Sequence, residues 1–145
     1  MLVMGATLLI NACQKDELDV PVTMKAEQFA VPAPRLTDLR WTLARFDRSQ
    51  ELVTAQQVAP WFMLSSGSGN VSGFTGCNEV TGRFDQIRGH LSFVGLAYTR
   101  RMCPDVAATE DRYQAVLEAT DHFRLEPGVL TLMRGEEELA QFVAR

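Results

Sequence analysis

"GFTGCNEVTGRFDQIRGHLSFVGLAYTRRMCPD", residues 73–105, is the stretch on which the reading of this chain turns. It carries two of the three cysteines, Cys77 and Cys103, which stand 26 residues apart. Between them the apolar residues alternate. Val80, Gly82 and Phe84 fall on one side of a first run. After the turn signal "IRGH", Leu91, Phe93, Gly95 and Ala97 fall on one side of a second. A period of two belongs to half-buried strands. The stretch is therefore a hairpin bracketed by two sulfurs, and those sulfurs could hold a metal, act as a nucleophile or form a covalent staple.

The same alternation runs outward in both directions. "LRWTLARF" puts Leu39, Trp41 and Leu43 on one face, and "PWFMLSS" opens with Pro60, which a strand start tolerates. "SGSGN" at 66–70 is turn chemistry, and "HFRLEPGVLTLMRGEEELAQFVA" reads as three strands with turns at Pro127-Gly128 and Gly135-Glu136. One segment breaks the pattern. Residues 104–121 place Val106, Tyr113, Val116, Leu117 and Thr120 at helical spacing. They predict one amphipathic helix over about 106–120, with Asp105 as N-cap and Glu110 and Asp111 toward its N-terminal half, where acids suit the dipole. Strands, one helix, then strands is not the alternating order of a doubly wound sheet. The expected class is α+β, with a curled, barrel-like antiparallel sheet and a single helix.

With 145 residues, 46% hydrophobic and 22% charged, the chain suits one ordinary globular domain with a leader. Its net charge is −4 and its 12 arginines are dispersed, so no basic stripe points to nucleic acid. "MLVMGATLLINAC", residues 1–13, is an apolar run ending at Cys13, too short for the roughly 20 residues of a membrane-spanning helix. It reads as the core of a secretion signal at 1–12. Ile10-Asn11-Ala12-Cys13 resembles a bacterial lipobox, in which the cysteine is lipidated and becomes the mature N-terminus. No Lys or Arg precedes the run, so either the start lies upstream of Met1 or the signal is defective. Residues 13–35, with Pro21, Pro32 and Pro34, read as a tether, and residues 36–145 as the domain. Gln14 follows the cysteine, which by resemblance to Gram-negative lipoproteins implies the periplasmic face of the outer membrane. The expected partners are thus the membrane, through Cys13, and a lipid or an envelope protein.

Export bears on the two remaining cysteines. Structural zinc needs four ligands and usually close pairs, whereas Cys77, His90 and Cys103 are spaced 13 and 13, with His122 the only other histidine. A thiol nucleophile needs a base, for which His90 or His122 could serve. His90 sits in a turn signal and His122 just past the helix. No Walker loop, Rossmann fingerprint, G-x-S-x-G or H-E-x-x-H is present, so no cofactor and no catalytic residue is assigned. In an oxidising compartment the pair is best read as a disulfide, which for a loop of this length contributes about 3–4 kcal/mol in the chain-entropy account.

The order of these pieces resembles the META domain family, which includes the heat-inducible protein HslJ. The resemblance rests on the leading Leu39, Trp41 and Leu43. It rests further on the G-C-N-x-x-x-G run of Gly76, Cys77, Asn78 and Gly82, and on Thr99 four residues before Cys103. Glu110 and Tyr113 on the helix extend it, as do Leu130 and Leu132 and the closing Leu139, Ala140 and Phe142. The family often has Phe where Tyr113 stands and Tyr where Val80 stands. The resemblance implies a small antiparallel barrel with a helix, a Cys77–Cys103 pair and no known catalytic residue. By association only, it implies links to stress tolerance and secretion. The function expected is a non-enzymatic, lipid-anchored envelope domain that binds an apolar ligand or a partner protein. In the ligand version Trp41 is the candidate wall of a cavity, unless core side chains fill it. The competing expectation is a thiol enzyme using Cys77 or Cys103 with His90 or His122.

Overall fold

Alternating apolar residues need a second apolar surface to bury against, and here the sheet supplies it from across its own interior. The structure, a computed structural model, describes residues 33–48 and 58–145. The signal at 1–12, Cys13 and the tether up to residue 32 lie outside the described residues. The strands are β1 (Arg40–Phe46), β2 (Trp61–Leu64), β3 (Asn70–Phe74), β4 (Glu79–Ile87), β5 (His90–Tyr98), β6 (His122–Glu126), β7 (Val129–Arg134) and β8 (Glu137–Ala144). They pair antiparallel in sequence order, and β1 pairs with β8 from Trp41↔Ala144 to Phe46↔Ala140, so the sheet is a closed barrel. The barrel-like antiparallel sheet and its single helix are as expected; the class is mostly β rather than α+β, and the sheet closes fully on itself. Closure depends on a pairing between the two ends of the domain, which no local pattern encodes.

The interior is packed by the inward residues of every strand. Phe62 is fully buried and meets Phe93 and Phe142 edge-on at ring-centroid distances of 5.5 and 5.0 Å. Leu64, Leu91, Leu130 and Leu132 are buried around them. The three C-terminal strands and both of their turns fall where alternation and Pro-Gly chemistry place them.

The second half of β5 departs from the expected pattern. Leu91 and Phe93 face the core, but Gly95 and Ala97 are exposed, and Leu96 and Tyr98 turn inward instead. A bulge causes the change: Thr81 pairs with Ala97 and Arg83 with Val94, so two residues of β5 oppose Gly82 alone. Gly95 sits at φ 63°, the left-handed region that lets a strand absorb an extra residue. Gly82 is the small residue the bulge needs. A Cβ there would lie 2.9 Å from Leu96 Cδ2 and 3.1 Å from the Val94 carbonyl oxygen.

The helix also starts later than expected. Pro104–Val106 form a 3₁₀ turn, and helix α1 runs Ala107–Ala119. Val106, not Asp105, is the N-cap, and no side chain caps it. Pro104 enters the first turn directly from Cys103, which holds the chain too tight for an open N-cap at Asp105.

Helix α1 takes the place of a missing strand contact. β5 and β6 share one register pair, His90↔His122, flanked by hydrogen bonds from Leu91 N–H to the Asp121 carbonyl and from Phe123 N–H to the Gly89 carbonyl. Both strands begin at that pair and run antiparallel, so they diverge from it. The lane beside the rest of β5 falls to α1, which packs on β5 and β7 and buries Tyr113, Val116 and Leu117. Tyr113 reaches Phe142 edge-on at 6.2 Å.

Gly82→Ala should lower stability by about 1–3 kcal/mol, the usual cost of overpacking. Gly67→Ala, where a Cβ meets nothing within 4 Å, should be nearly neutral. Chemical denaturation of the two variants checks the contrast; equal effects would remove the bulge from the account.

Candidate functional site

The loop between β3 and β4 is built by a single hydroxyl. Thr75 Oγ1 accepts hydrogen bonds from the backbone N–H of Asn78 at 2.8 Å and of Cys77 at 3.3 Å, and Thr75 N–H donates to the Asn78 carbonyl. Gly76 passes through φ 102°, which closes the turn. The loop delivers Cys77 and Asn78, both buried, toward the end of β5.

Asn78 uses every polar atom of its side chain. Its Nδ2 donates to Glu110 Oε1 at 2.7 Å and to the Arg101 carbonyl at 3.2 Å. Its Oδ1 accepts from Arg101 N–H at 2.6 Å and from the Thr99 hydroxyl at 2.9 Å. The amide therefore pairs with Arg101 as a neighbouring strand would. Thr99 Oγ1 in turn accepts from Glu79 N–H at 3.0 Å. Glu110 projects from α1 with 8% exposure, and its Oε1 also accepts from the Thr75 hydroxyl at 2.6 Å. Among the described residues no arginine forms an ion pair with it. Two neutral donors thus meet the Oε1 oxygen of a carboxyl group that is costly to bury without partners.

The disulfide lies against this cluster. Cys77 and Cys103 are bonded, with Cα atoms 5.9 Å apart. The bond ties the β3–β4 loop to the entry of α1 while the Asn78–Glu110 contact ties the same loop to the body of the helix. Cys77, Asn78, Thr99 and Cys103 thus converge, whereas Gly82 serves the bulge in the middle of β4.

The components of a thiol enzyme do not come together. His90 opens β5, a nine-residue strand roughly 25–30 Å long, and Cys103 lies beyond its other end. His90 is instead beside His122, ring centroids 4.1 Å apart, and His122 Nδ1 hydrogen-bonds Asp121 Oδ1 at 2.7 Å. The N–H of Gly135 also donates to Asp121, and these contacts with His122 foremost hold the Asp121 carboxyl below the ordinary aspartate range. Among the described residues, no three His, Cys, Asp or Glu side chains are grouped as a metal site would need. Trp41, the candidate cavity wall, is 1% exposed and donates its indole N–H to the Leu36 carbonyl at 2.8 Å. Its ring is core, and it lines neither the groove beside β5 nor the one outside β2–β4.

The larger groove opens beside the cluster. It holds about 580 Å³ and is bounded on one side by residues 96–102 and on the other by Glu110 and Gln114 of α1. Another, of about 420 Å³, lies outside β2–β4 around Trp61 and Phe74. Close to the larger groove, the hydroxyls of Tyr98 and Tyr113 are buried and make no hydrogen bond among the described residues. Burial, with a repulsive contribution from Glu118, pushes Tyr98 up to about 12, and burial drives Tyr113 well above the ordinary tyrosine range.

Thr75 escaped the sequence reading, and Glu110 entered it as a helix acid and a piece of the family pattern without a role in the site, yet both carried a signal. Glu110 stands three residues before Tyr113 and seven before Leu117, on the same buried stripe. Thr75 continues the inward alternation of Val71 and Gly73.

Three comparisons bear on this arrangement. A META domain profile matches residues 34–145. A protein from Burkholderia xenovorans solved by NMR is similar in fold, with TM-score 0.62 and 24% identity over 76% of this chain and 83% of that one. A second NMR structure has TM-score 0.58 and 24% identity over 74% and 91% of the two chains. At such identity these two likenesses show the fold alone. The comparison with curated proteins found no match. The chain belongs to the META domain family.

The tyrosines make stability fall at high pH. An unfolded tyrosine ionises near pH 10, whereas folded Tyr98 keeps its proton to about 12. Stability from this group is whole below pH 10 and is lost as pH rises through 12, because only the unfolded chain ionises in between. Tyr98→Phe and Tyr113→Phe should flatten that decline. At neutral pH Tyr113→Phe should be neutral or stabilising, since it removes a hydroxyl without a partner. Denaturation from pH 7 to 12 checks both; a large loss at pH 7 would show that the Tyr113 hydroxyl is satisfied.

Proposed function

We propose that this META domain is a non-enzymatic binding domain of the cell envelope, held at the membrane by lipidated Cys13, which captures a partner protein in the groove between β5 and α1. One observation carries the reading. The barrel interior around Trp41 and Phe62 is packed with the chain's own side chains, while the groove beside β5 is open and its rim is braced by the disulfide and by Asn78. A braced, open, half-polar surface suits a protein better than an acyl chain, which would need apolar volume inside the barrel.

Two further features support the reading. Cys77 and Cys103 are spent on one bond, so neither is a thiol. The apolar run ending at Cys13, followed by a proline-bearing tether, is the layout of an anchored exported domain. The outer membrane's periplasmic face is the location this layout favours. A link to stress or secretion would follow from the identity of the partner.

A photo-crosslinking residue at Met102, on the groove rim, should capture a protein in intact cells expressing the chain with a complete signal. The same residue at Ile87, exposed at the far end of the β4–β5 hairpin, should not. Cys13→Ala should move the domain from the membrane to the soluble periplasmic fraction. Equal capture at both positions, or none, would contradict the groove assignment; a membrane-retained Cys13→Ala protein after a high-salt wash would contradict the anchor.

A further inference from the structure

Strand β5 has one edge in use and one nearly bare. Toward β4 it forms a ladder from His90 to Tyr98, interrupted only by the bulge. Toward β6 it has the single pair at His90 and the Leu91 hydrogen bond. The direction of the backbone beyond is fixed by two contacts on the β4 side. Thr99 N–H donates to the Glu79 carbonyl, and Arg101 N–H to Asn78 Oδ1. Backbone groups alternate in direction along an extended chain, so those of Tyr98 and Arg100 face the opposite way, onto the groove. Among the described residues no strand and no backbone group meets them.

This edge is already ordered. Asn78 pairs with Arg101 on both its N–H and its carbonyl, and the disulfide fixes Cys103 two residues on. A segment docking there would not have to order the rim, which removes one of the usual entropic costs of association. Across the groove the side chain of Gln114 makes no hydrogen bond among the described residues, so its amide is free to meet the incoming chain.

Charge identifies the occupant. Arg100 and Arg101 are exposed on the rim and form no ion pair among the described residues, in contrast to Arg112 with Asp47, Arg124 with Glu138 and Arg134 with Glu137. Met102 beside them is 93% exposed. A second copy of the chain would bring its own arginines against these, and like charges on a bare edge oppose self-pairing. We propose that the free edge of β5 binds an extended, acidic segment of a partner protein as an added strand. Its backbone pairs with Tyr98 and Arg100, and its carboxylates meet the guanidinium groups of Arg100 and Arg101. This deepens the partner-binding reading above and rests on it.

Labelled heptapeptides alternating valine and threonine, with an aspartate at each end and a third in the middle, test the proposal against the full chain. Three controls carry lysines instead, alternate N-methylated amides, or a central proline. The acidic peptide should bind saturably by fluorescence anisotropy and slow hydrogen exchange at the Tyr98 and Arg100 amides, and all three controls should lose binding. Arg100→Glu/Arg101→Glu should weaken the acidic peptide by at least about tenfold and favour the lysine peptide. Arg100→Pro, which removes the outward N–H, should abolish binding without lowering the thermal midpoint appreciably. Equal binding of the N-methylated peptide would overturn strand addition in favour of a simple charge patch. Concentration-dependent dimers that protect the same amides would overturn the foreign partner in favour of a second copy. No binding of any peptide would overturn the proposal; if Met102 still crosslinks a protein in cells, the partner reading survives and only strand addition fails.

Discussion

A carboxyl group buried without a cation has to be met by neutral donors, and in this protein that requirement organises everything around the groove. Glu110 is carried inward on the same helical stripe as Tyr113 and Leu117. Its Oε1 finds the hydroxyl of Thr75 and the amide of Asn78. Because a half-satisfied buried network is worse than an apolar one, the β3–β4 loop and the helix must hold one relative position. The disulfide from Cys77 to Cys103 fixes the same relation covalently, a few residues away.

That fixed relation compensates for a weakness in the barrel. β5 and β6 diverge after one pair, so the sheet alone would leave an open lane at this seam. Helix α1 fills the lane with Tyr113, Val116 and Leu117, but only along part of β5. Past the bulge at Gly95, where Leu96 and Tyr98 turn inward, helix and strand stand apart and the groove opens. Asn78 then does on one edge of residues 99–101 what a strand would do, and the other edge is left exposed. The same contacts that stabilise the fold therefore leave, at Tyr98 and Arg100, a backbone edge that no described strand covers.

Much of this was legible in the sequence, for physical reasons. Strands β6, β7 and β8 announce themselves because alternation and Pro127-Gly128 agree. Trp41 and Leu43 fall inside because their period is unbroken. Cys77 and Cys103 stand out because neither has ligand spacing around it. The barrel's closure was not legible, since Trp41↔Ala144 joins positions about a hundred residues apart. The phase change in β5 was not legible either, because a glycine in a strand serves equally well as an inward residue or as a bulge. The helix start was misplaced because Asp105 has cap chemistry while Pro104 and Cys103 hold the chain in a 3₁₀ turn. Glu110 was read as a partner of the helix dipole because an acid on a buried stripe looks like an error until the Asn that meets it is known.

The dependence of the site on the Asn78–Glu110 contact is open to a direct measurement. Unfolding free energies of Asn78→Ala, Glu110→Ala and the double variant, with the disulfide intact, form a thermodynamic cycle. Each single change leaves its partner's buried polar atoms short of a hydrogen bond, so the account predicts two substantial losses that are strongly sub-additive. The expected coupling energy is about 1–3 kcal/mol. Two losses that simply add would contradict the account, because Asn78 and Glu110 would then contribute independently and no shared contact would hold the helix beside β5.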